Sequence, residues 1–80
     1  MVRNIKEVIN KINSKNYDYV IKEIEKNPFG LENKKLMREI IYQASEENYS
    51  EAVRMTDALD TLDVARLGKL MQKVITEKDY

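Results

Sequence analysis

The 80-residue chain sets 14 basic side chains against 14 acidic ones, so its formal charge is zero, and it contains neither Cys nor His. That length fits one domain, which buries only about 60–65% of the surface its unfolded form exposes. The missing residue types exclude disulfides, thiolate nucleophiles, the usual zinc ligands and the commonest general base.

Apolar residues recur at helical spacing from one end to the other. Ile5, Val8, Ile9 and Ile12 form a first stripe, and Tyr17, Val20, Ile21 and Ile24 a second with the same i, i+3, i+4, i+7 pattern. Ser14 or Asn16 between them is expected to cap the second helix. "NPFG" over 27–30 ends it, because Pro28 disfavours helical geometry at Asn27 and Gly30 offers a left-handed conformation. Leu36, Met37, Ile40, Ile41 and Ala44 predict a third helix. Asn48 and Glu51 read as a capping-box variant opening a fourth, whose stripe is Tyr49, Ala52, Val53, Thr56 and Leu59. Asp60 or Thr61 is placed to cap a fifth, carried by Val64, Leu67, Leu70, Met71, Val74 and Ile75, with Asp63 near the positive end of its dipole. No segment alternates with period two. The sequence therefore predicts an all-α fold of five short helices, antiparallel because every connection is short.

The helices repeat. "KLMREII" (35–41) returns as "KLMQKVI" (69–75), and "IKEVINKINSKNYDYVI" (5–21) aligns without gaps to "MREIIYQASEENYSEAV" (37–53). This divides one domain, 1–80, into helical hairpins over 5–36 and 37–68 with a partial third copy over 69–80. A period of 32–34 residues is one that stacked helical hairpins use. "ENYSEAVRMTDALDTLD" (47–63) resembles the tetratricopeptide repeat through Tyr49, Ala52, Val53, Ala58 and Leu59, and "KNYDYVIKEIEKNP" (15–28) is similar through Tyr17, Val20, Ile21 and Asn27-Pro28. Lys15 and Glu47 stand where that family keeps its turn glycine, and Val8 and Ile40 where it keeps a small residue. The resemblance implies a scaffold that binds peptides or proteins and is not a catalyst.

Charge is unevenly spread along the chain. Residues 1–38 hold nine basic and five acidic groups, a surplus of +4, and residues 39–80 the reverse. Glu46, Glu47, Glu51, Asp57, Asp60 and Asp63 fall in one stretch. A dipolar molecule of this kind is suited to head-to-tail association or to steering a charged partner. Tyr19 and Tyr42 lie off the stripes and are candidate interface anchors. The incomplete third hairpin leaves the fifth helix unpartnered, so Leu70 and Ile75 are expected to form an exposed apolar patch for a protein partner or a second copy. Met37, Met55 and Met71 read as gap-filling core.

Two other functions are weighed. "TDALDTLD" (56–63) places Thr56 and Asp60 four apart, similar to the motif of small two-helix phosphatases that act on aspartyl-phosphate of response regulators; there Asp60 would orient water. Five tyrosines and Phe29 beside lysines could stack bases, but zero net charge argues against nucleic acid. No phosphate-binding glycine loop, calcium-loop pattern, cofactor motif or membrane span is present. The expectation is a non-enzymatic, cytoplasmic protein-interaction module with no cofactor.

Overall fold

A computed structural model describes residues 5–78. Among these are five α-helices and one 3-10 turn, with no strand: α1 (Ile5–Ile9), α2 (Tyr17–Lys26), α3 (Leu31–Ser45), α4 (Tyr49–Met55), the turn Thr56–Ala58, and α5 (Thr61–Lys78). The five expected helices are all there, and the fold is all-α.

Several boundaries have different causes from those expected. α1 ends at Ile9, although its apolar stripe runs on to Ile12. Lys11 and Ile12 bond back to the carbonyls of Val8 and Ile9, tightening the last turn, and Ile12 is buried outside the helix. Asn16 stands at the start of α2 but does not cap it. Its side chain turns the other way: Oδ1 accepts the Asn13 N–H at 2.9 Å, and Nδ2 donates to the Lys11 carbonyl at 3.0 Å. Asn13 Oδ1 in turn accepts the N–H groups of Lys15 and Asn16. The 10–16 connection is thus held by two asparagines, one of them fully buried.

α2 stops where Pro28 requires, with Asn27 extended at φ −86°, ψ 148°. Gly30 is extended as well (φ −60°, ψ 150°), so it is the N-cap of α3 and not a left-handed stop. α3 accordingly starts at Leu31, more than a turn before its apolar stripe. Its other end is a Schellman motif: Asn48 N–H bonds to the Gln43 carbonyl and Glu47 N–H to that of Ala44. Glu47 sits at φ 67°, the only non-glycine with positive φ among the described residues. The expected capping box at Asn48 does not form. Asn48 Nδ2 donates to Gln43 Oε1 instead, and Glu51 is engaged with Arg54. Asp60 does cap α5, its Oδ1 accepting the Asp63 N–H at 2.8 Å.

The principal packing pairs are α2 with α3, α3 with α4, α4 with α1, α1 with α5, and α5 with α2. They close a ring. α5, 18 residues and so about 27 Å long, spans a body of 28 × 26 × 26 Å. Val8, Ile9, Ile12, Val20, Ile24, Met37, Ile40, Ile41, Ala44, Ala52, Leu67 and Met71 meet inside it, each at most 1% exposed. Burying one of the Val, Leu, Ile or Met side chains among them stabilises the fold by about 1.5–3 kcal/mol. Closure also settles the far face of α5. Leu70 (7% exposed) and Ile75 (8%) belong to the core, because α1 and α2 cover the flanks that an open stack would leave bare. The exposed apolar patch expected there does not exist. Among the described residues no helix is long and apolar enough to cross a membrane.

Candidate interaction groove

A furrow runs along the line where α2 meets α5. It holds two open hollows of about 320 and 450 Å³ that share Glu23 and Lys73 as wall residues. Phe29 and Leu70 floor the first, and Tyr19 and Val74 line the second. The walls are basic. Lys22 and Lys26, one turn apart, come from α2; Arg66, Lys69 and Lys73, at i, i+3 and i+7, run along α5. With Glu23 and Glu77 as the lining acids, five cations and two anions leave a local surplus of +3.

Glu23 bridges the furrow. Its Oε2 accepts from Lys26 Nζ at 3.3 Å on its own helix, and its Oε1 lies 3.9 Å from Lys73 Nζ on α5. Both distances exceed the 2.7–2.9 Å of a tight charge-assisted hydrogen bond, so the carboxylate is held loosely between two helices. Arg66 stands 3.8 Å from Asp63, which also accepts a hydrogen bond from Asn33 on α3. That link joins the starts of α3 and α5, where Leu31 (85% exposed) and Leu62 (58%) project into solvent.

The expected interface residues separate. Tyr19 and Leu70 line the furrow, Leu70 as buried floor. Tyr42 is exposed on α3, its ring edge-on to Tyr17 with centroids 6.5 Å apart. Ile75 is in the core. Helical spacing sets Arg66, Lys69 and Lys73 on one face, but a charge balance by chain halves conceals the basic walls, since these three come from the acidic half. The segment 46–60 carries five acids against a single base, Arg54, and its helix α4 packs on α3 and α1.

Thr56 and Asp60 do not share a helix face. Thr56 belongs to the 3-10 turn, is 6% exposed, and its hydroxyl donates to the Val53 carbonyl at 2.6 Å. The chain is extended at Leu59, and Asp60 is occupied as a cap. Among the described residues no three acidic side chains are grouped to hold a metal ion. The groove offers ammonium, guanidinium and carboxylate groups over an apolar floor, a set suited to holding an anionic, partly apolar ligand. No protein-family model, curated protein or solved structure matches the chain.

Proposed function

We propose that this protein is a small non-enzymatic binding module and that a protein partner docks in the α2/α5 groove. One observation carries the reading: the seam between α2 and α5 is hollow and is lined by apolar side chains together with a surplus of basic ones. An apolar floor within a polar rim is an anatomy that protein interfaces use, the floor for affinity and a charged rim for steering the encounter with a complementary partner. The reading of the chain as two hairpins, 5–36 and 37–68, and a partial third over 69–80 belongs to the same proposal. In it the groove lies between the second helix of the first hairpin and the helix that crosses into the third.

The test is site-specific photo-crosslinking in the native cell, with the photoreactive residue at Lys22 or Lys69 in the groove and at Lys35 or Glu39 on the exposed face of α3. The expected result is one polypeptide captured from both groove positions and, with the photoreactive residue at Lys22, lost on Lys69→Glu with Lys73→Glu. Capture from the α3 positions alone, or equally from all four, would rule the groove out.

A further inference from the structure

The groove already contains a model of what it binds. Glu23 places a carboxylate between a lysine of α2 and a lysine of α5, so a carboxylate fits there, and the looseness of both contacts lets another replace it. Lys69 lines the first hollow and Lys22 the second, one on either side of Glu23 and Lys73, and neither takes an ion-pair partner among the described residues. One internal carboxylate cannot satisfy this set. Next to it, Phe29 and Leu70 provide an apolar seat that a purely ionic ligand would leave wet. Phosphate-rich ligands bind chiefly through charge, which this zero-charge chain supplies only locally. A ligand that matches both features carries carboxylates and a large apolar side chain on one face.

We infer that the α2/α5 groove takes an acidic amphipathic peptide segment, one carboxylate of which displaces Glu23 from between Lys26 and Lys73 while an apolar side chain seats on Phe29 and Leu70. This rests on the groove being the protein-binding site and adds the chemistry of the partner. It also makes Glu23 an internal competitor. The groove in the free protein is partly neutralised by its own side chain, and the incoming segment must outcompete it. Removing that competitor should therefore tighten binding, which no ordinary loss of contact would do.

The experiment uses the full chain and fluorescein-labelled 14-residue peptides followed by anisotropy. The probe peptide sets Leu at i and i+4 beside Glu at i+3 and i+7; one control replaces Glu by Gln, and another scrambles the order. Saturable binding of the probe is expected, weakened about tenfold by the Gln control and by Lys69→Glu with Lys73→Glu. Glu23→Gln should bind the probe about three- to fivefold more tightly than the natural chain, the range set by one exposed ion pair. Circular dichroism melts confirm folding of each variant, and Lys69→Gln with Lys73→Gln serves if the reversals do not fold.

Unchanged or weaker binding by Glu23→Gln overturns the displacement. Equal binding of the scrambled peptide overturns the two-part match. Tighter binding to a thymidine 20-mer or to phosphatidylserine vesicles than to the probe assigns the groove to phosphate and overturns the peptide. A salt-sensitive self-association of the chain alone, abolished by Lys69→Glu, puts a second copy there instead. If crosslinking captures a partner at Lys22 and Lys69 while every acidic peptide fails, the groove stands as the binding site and the acidic chemistry falls.

Discussion

Residues 5–21 and 37–53 bury most of the same apolar positions and follow different paths between them. Val8 and Ile40, Ile9 and Ile41, Ile12 and Ala44, and Val20 and Ala52 are all buried, and Tyr17 and Tyr49 are both half-buried. The second helix of each pair starts at its tyrosine. The first helix, however, ends at Ile9 in one segment and at Ser45, the counterpart of Asn13, in the other. Between those points one chain is tied by a buried asparagine and the other by a left-handed glutamate. The tyrosines differ too. Tyr17 packs edge-on against Tyr42, while the Tyr49 hydroxyl reaches the Ile12 carbonyl at 3.5 Å. Apolar side chains set which positions go inside; a few polar ones set how the backbone travels from one to the next.

Four measurements break or sharpen that comparison. Ile9→Ala and Ile41→Ala should each cost about 3–4 kcal/mol in urea unfolding, because both leave a cavity in a fully buried site. A cost at Ile9 well below that at Ile41 would show that five-residue α1 is not packed as the longer α3 is. Next come the asparagines. Asn16→Ala strands the Asn13 N–H and the Lys11 carbonyl and should cost about 2–3 kcal/mol. Asn48→Ala, at an exposed position, should cost less than about 0.5 kcal/mol. Similar losses from the two in thermal melts would erase the distinction between the turns.

The smaller effects concern the turn residues themselves. Glu47→Gly relieves a left-handed side chain and should stabilise by about 0.5–1 kcal/mol, raising Tm by roughly 4 °C. Lys15→Gly, the aligned change where φ is not positive, should destabilise by about as much. Opposite signs are the outcome that matters. Smallest is the pair Glu51–Arg54 at the start of α4, which has no counterpart at Tyr19 and Lys22. The Arg54 hydrogen bond, aided by its charge, holds the Glu51 carboxyl below the usual glutamate value. A depressed carboxyl contributes stability above its unfolded value and loses it as pH falls through the folded one. The Tm gap between the natural chain and Arg54→Gln should therefore be small near neutral pH and close in acid. A gap that widens in acid would reverse the assignment.

Periodicity made the five helices and most of the core legible, because a stripe of apolar residues reports burial directly. It overextended α1 to Ile12, which is buried but not helical, and it missed the opening turn of α3, whose Leu31 is almost wholly in water. Side-chain oxygens near helix starts looked like caps. Only Asp60 is one, since Asn16 and Asn48 found nearer partners in the preceding turns. The groove was harder to see. Tyr19 stands out by lying off its stripe, but Lys22, Lys26, Arg66, Lys69 and Lys73 become one surface only when α5 lies against α2, a pairing that short-range spacing does not encode.

The contact of α1 with α5 has a kinetic consequence. A linear array of hairpins can zip up from any starting point and fray from its ends, each unit leaning only on its neighbour. Here the opening helix waits for the closing one, across more than fifty residues of intervening chain. On the ribosome no earlier subset has its full complement of neighbours, and loop closure over that span slows the final docking step. Once shut, every described helix has two neighbours in the ring, so amide protection should rise and fall together in all five.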